Sequence, residues 1–143
     1  MGQVEMRAGA AARMTDALLR SLGGCAAALR LPVNAVANQD AEQLGLSEPQ
    51  FQDLPIGPAV YRRVEPTKAD GKGERAELLV SATTVLGLAG TMEYESAAVL
   101  FAQAAGVLVD GRLMQIAGVT ASEAFGRPYL YRLQLCGAMA EMI

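Results

Sequence analysis

Histidine and tryptophan are absent from this 143-residue sequence, and the aromatic residues are four Tyr and three Phe. Without histidine the chain lacks the usual general base near neutral pH. It also lacks the commonest zinc and iron ligand and any imidazole pH switch. The two cysteines, Cys25 and Cys136, form neither a CxxC nor a metal-ligand spacing. They read as half-buried free thiols, with a bridge between them as the alternative. No uninterrupted apolar stretch of a secretory signal is present, because Glu5 and Arg7 break the Ala-rich start. The longest charge-free apolar region, Leu78 to Met92, is interrupted by Ser81, Thr83, Thr84, Gly87 and Gly90. It falls short of the about 18 apolar residues that a membrane span requires. Twelve basic against fifteen acidic residues leave a net charge of −3, which excludes the strongly basic footprint of a dedicated nucleic-acid binder.

What is present is apolar and small. Hydrophobic residues make up 52% of the chain, with alanine the main contributor. This length buries one continuous core without disulfides or metals, so a single domain over 1–143 is expected. Within it, residues 1–24 read as a helical segment, 25–136 as a β-rich core and 137–143 as a tail. The first fourteen residues read as loosely helical. A sharper helix then runs from a Thr15 cap to Gly23-Gly24, with Ala17, Leu18, Leu19 and Leu22 as its apolar stripe. Ala26 to Val33 reads as a strand. The connection 34–58 is too long for a plain turn; its Leu44, Leu46, Phe51, Leu54 and Ile56 point to a contact arm rather than a solvated loop.

Beyond that connection the period shortens towards two. Ala59–Val64 and Arg75–Val85 read as a hairpin around the polar turn at Glu65 to Gly73. Ser96 caps a helix over Ala97–Ala105 with Gly106 as its stop. Asp110-Gly111 joins strands Val107–Val109 and Arg112–Val119, because both central residues of a two-residue hairpin take positive φ. Gly126-Arg127-Pro128 turns the chain into a closing strand, Tyr129 to Leu135, with Tyr129, Tyr131, Leu133 and Leu135 on one face. Six strands and short helices predict a mainly β (α+β) domain: a small antiparallel barrel or curved sheet with one or two short helices and long loops.

Catalytic and cofactor patterns fail on inspection. Gly71-Lys72-Gly73 lacks the strand–loop–helix setting and the hydroxyl residue of a phosphate-binding loop. Glu93 and Glu95 share a face only in a strand, and Ser96 has no base beside it in sequence and serves as a helix cap. No catalytic residue, cofactor or metal site is expected. Arginine is the dominant cation, and Arg62, Arg63 and Arg75 fall on predicted strands, while Asp40, Glu42 and Asp53 lie in the acidic connection. Guanidinium groups pair bidentately with carboxylates at interfaces, so these six residues are the expected contacts between identical subunits, arranged head to tail. Surface pairs within one subunit are the alternative.

The segments GVLVDGRLMQIAGV and GRPYLYRLQL, with the element order around them, resemble the head-to-tail joining proteins of tailed bacteriophages, the stopper or head-completion group. The resemblance covers Pro58 to Cys136. It implies a non-catalytic virion protein, made in the host cytoplasm, that forms a homo-oligomeric ring beneath the portal and its adaptor. Such a ring helps to retain packaged DNA, lies close to it, and offers a platform to the tail proteins. Besides an enzyme or ligand-binding domain, for which the sequence offers no motif, two other readings stand beside it. One is a tail terminator or other small virion protein; the other, disfavoured by charge, is a nucleic-acid-binding barrel using Tyr129, Tyr131 and Arg132.

Overall fold

Seven strands and three helices make up most of residues 2–22, 25–33, 50–64 and 75–138, the parts of the chain that the computed structural model describes. They follow one another as α1 (Gly2–Leu22), β1 (Ala27–Pro32), β2 (Phe51–Pro55), β3 (Ala59–Val64), β4 (Arg75–Ser81), α2 (Ala82–Thr91), α3 (Ala97–Gln103), β5 (Gly106–Val109), β6 (Arg112–Ala124) and β7 (Arg127–Ala138). The strands form one sheet in the order β2-β1-β5-β6-β7-β4-β3, and every neighbouring pair is antiparallel. The expected mainly β, curved antiparallel architecture is therefore what the chain adopts.

The curvature follows from connectivity. Strands β2 and β3 are the two outer edges, yet only Ile56, Gly57 and Pro58 separate them in sequence. Laid flat, the outer strands of a seven-stranded sheet lie about 29 Å apart. A three-residue link reaches about 14 Å at most. The sheet therefore curls, and at this end the Cys25 thiol donates to the Ala59 carbonyl at 3.3 Å. No ladder joins β2 to β3, so the curl stops short of a closed barrel.

Alternation sorts the core. Leu29, Leu31, Ala76, Leu78, Val80, Val107, Val109, Met114, Tyr131, Leu133 and Leu135 face inwards and are buried. Helices α2 and α3 fill the concave side with Val85, Ala89, Leu100 and Phe101, and Ile56 is fully enclosed among them. Phe101 and Tyr131 meet at 5.7 Å between ring centroids, within the range of a favourable tilted aromatic pair. The opposite face of β7, β4 and β3 carries α1. There Ser81 donates to Asp16 at 2.5 Å, and Ala8 and Leu19 are buried outside the main core.

Several expectations are corrected. Helix α1 is continuous from Gly2, so Thr15 lies inside it and caps nothing; alanine's propensity carries the early turns. Its buried side is Ala8 and Leu19, whereas Leu18 and Leu22 are exposed. The long connection contains a seventh strand, β2, and Ile56 there is core. The strand expected to continue to Val85 ends at Ser81, whose hydroxyl accepts from the Thr84 amide and starts α2. Ala82–Thr91 is apolar on both its buried face (Ala82, Val85, Ala89) and its exposed one (Leu86), so its sequence shows no clear period to separate helix from strand. Gly106 opens β5 rather than stopping α3. A Cβ there would stand 2.6 Å from the Met114 carbonyl oxygen. The final turn is Phe125-Gly126, both at positive φ, and Pro128 belongs to β7, which lies between β6 and β4. The helix capped by Ser96, the Asp110-Gly111 turn and strand Ala59–Val64 fall where the sequence places them.

Candidate interaction surface

The charged residues singled out by sequence fall into three places. Asp53 faces Arg30 across β1 and β2, bound at 2.8 and 3.0 Å by a bidentate guanidinium. Hydrogen bonds from Arg30 hold the Asp53 carboxyl below its ordinary range, against a smaller opposing effect of burial. Asp53 thus has an arginine partner within its own subunit, the alternative that the sequence left open. Arg62 sits opposite Glu77 across β3 and β4 and donates to it at 2.7 Å, while 62% of its side chain stays exposed. Arg63 is exposed next to it, and Arg75 begins β4 opposite Val64. Asp40 and Glu42 lie outside the described residues, as does the turn at Gly71-Lys72-Gly73. The structure therefore gathers Arg62, Arg63 and Arg75 at one end of the β3–β4 pair and holds Asp53 at the other sheet edge.

Both cysteines are free and partly buried. Burial first, and the charge of Asp110 second, push the Cys25 thiol up from its ordinary value. It remains protonated at neutral pH and is a poor nucleophile. Among the described residues no three His, Cys, Asp or Glu side chains gather into a metal-binding group, and no helix is long and apolar enough to cross a membrane.

A surface that the sequence did not announce lies along β6. Strand β5 pairs with β6 only at Arg112–Met114, whereas β7 follows β6 to Ala124. The chain before β5 has turned away into α3, so beyond Gln115 strand β6 has a ladder partner on one side only, among the described residues. Alternate residues of such an edge point both backbone groups outwards. Beside it runs an open groove of 840 Å³ between β6 and α3, lined by Ala98, Phe101, Ala102, Ala117, Val119 and Tyr131 among others. The rim is acidic. Glu95 belongs to the groove wall, and Glu123 is close enough to add to the effect of burial in raising the Tyr131 phenol. The Ser96 hydroxyl in the wall accepts from the Val99 amide as a helix cap. The arrangement offers backbone hydrogen bonds along the edge and apolar contact beneath it.

Helix α1 presents a second apolar surface: Met6, Met14, Leu18 and Leu22 recur at multiples of four and are each more than half exposed. The apolar stripe expected from the sequence includes Leu18 and Leu22. Sequence reasoning ended β6 at Val119, because Thr120 to Ala124 is small and weakly patterned and only its pairing with β7 defines it as strand. Comparison with protein-family models, curated proteins and solved structures gives no match to this chain.

Proposed function

We propose that this chain is a non-catalytic structural subunit that assembles with copies of itself, as a ring in the neck of a tailed phage or prophage, between the portal and adaptor and the tail. The observation that carries the self-assembly is the unprotected edge of β6. Edge strands of proteins that act alone are guarded by lysine, proline or inward charge, because a bare edge recruits another strand. From Ala117 to Ser122 the edge has no charge and no proline, and it overhangs an apolar groove. An edge of this kind is suited to strand addition, in which the backbone supplies the bonds and the groove the specificity. The neck setting rests on the resemblance carried by GVLVDGRLMQIAGV and GRPYLYRLQL. It makes the portal–adaptor complex, the tail proteins and nearby packaged DNA the surroundings of the ring.

The test is mass photometry of the purified protein, alone and mixed with portal–adaptor complexes, with negative-stain imaging of any large species. Rings, or capture on portal assemblies, are expected. A strict monomer that ignores both portal complexes and tail-tube ends would overturn the proposal.

A further inference from the structure

Resting on that self-assembly, we infer that the strand docking on the β6 edge is β3 of a second copy, joined head to tail. The register supplies the first argument. Rows of paired residues cross four strands without a break: Arg62, Glu77, Gln134, Gly118 in one and Ala59, Val80, Tyr131, Ala121 in another. The free part of β6 and the outer edge of β3 therefore stand level, on opposite sides of a four-stranded strip about 14 Å wide. Three antiparallel steps separate β3 from β6, so the two strands run in opposite directions. Placing β3 of the next copy against β6 continues the antiparallel alternation across the boundary. Two different edges facing opposite ways make a heterologous contact, which builds a ring when the rotation closes.

Charge supplies the second argument. Exposed Glu95 lines the β6 groove and exposed Glu123 lies two residues beyond its lining residue Ala121, while β3 brings exposed Arg63 on the same, inward side as its pair Ala76. Arg62 lies on the other face, in the row of Glu77, Gln134 and Gly118, and is bound to Glu77 there. The other edges of this chain fit less well. A second β6 would bring Glu95 and Glu123 against their own counterparts. Strand β2 ends in Pro55, which has no N–H, and its Asp53 is balanced by Arg30. The Cys25 thiol occupies the Ala59 carbonyl, so β3 offers Val60–Val64, a short stretch. A short contact repeated around a closed ring gains strength from closure, because the last contact forms within one assembly.

The experiment swaps the charges. One variant carries Arg63→Glu, a second carries Glu95→Arg and Glu123→Arg, and a third combines all three. Each is examined by mass photometry with and without portal–adaptor complexes, with circular dichroism to check folding. Either of the first two variants alone is expected to raise the midpoint concentration of assembly by about tenfold or more, since like charges then face each other. An equimolar mixture of the two, and the combined variant, regain assembly. The second variant leaves β3 and its ion pair untouched and gives the same readout should the first fail to fold. If the β3 variant assembles like the parent while the groove variant does not, another strand occupies the edge and the inference falls. If both assemble like the parent, the inference falls and self-assembly stands. If the parent itself is strictly monomeric under all conditions, both proposals fall.

Discussion

Ile56 holds the curl of the sheet, and replacing it with alanine measures how much. The residue sits in the three-residue link between the outer strands, is fully buried, and packs within the main core. Ile56→Ala removes three carbons, about 2.4 kcal/mol at ~0.8 kcal/mol per buried methylene. A cavity contribution adds to this, because a link tied at both ends by β2 and β3 relaxes little. The expected total is about 3 to 4 kcal/mol, inside the usual span for such truncations. For a chain of this length that corresponds to a fall in Tm of about 10 to 15 °C. Urea denaturation, with the m-value checked against the parent, gives the free energy directly. Phe51→Ala on β2, 49% exposed, is the control and is expected to change stability by about 0.5 kcal/mol or less. A loss below about 1 kcal/mol at Ile56 would refute the reasoning, since the link would then not be anchored in the core.

Other outcomes follow from single contacts. Gly106→Ala sets a Cβ against the Met114 backbone oxygen and is expected to cost about 1 to 3 kcal/mol. Gly118→Ala meets only the Gln134 side-chain amide, which can swing away, so its denaturation midpoint is expected to stay near the parent's. Ser96→Ala removes a helix cap, about 1 kcal/mol. Ser81→Ala removes both a cap and the bond to Asp16 at a fully buried position, so its loss in the same urea titration is expected to be larger. Asp53→Asn is expected to cost at most about 1 kcal/mol at neutral pH, since the pair is partly exposed. The Asp53 carboxyl is lowered in the folded chain, so its contribution is present above the unfolded value and lost as pH falls through the folded one. Parent and variant should converge in acid, and a gap that persists at about pH 2 would contradict the assigned cause.

Local chemistry was legible in the sequence. Asp110-Gly111, the Ser96 cap and the alternation of Tyr131, Leu133 and Leu135 each depend on residues a few positions apart, and each is found in place. The absence of histidine limited the chemistry in the same direct way. What sequence misjudged were segments whose neighbours lie far away. Ala82–Thr91 lacks a clear period because an apolar Leu86 sits on its exposed face as well as Ala82, Val85 and Ala89 on its buried one, so its cap was the stronger signal. Phe51–Pro55 becomes a strand because β1 lies beside it, and Leu18 is exposed because α1 buries Ala8 and Leu19 instead. Tertiary structure alone decided that Asp53 is bound by Arg30, that β5 stops short along β6, and that the edges of β6 and β3 stand level. The physical reason is range. Caps, turns and side-chain alternation are settled within a few bonds, whereas sheet order and edge exposure depend on which distant strands pair.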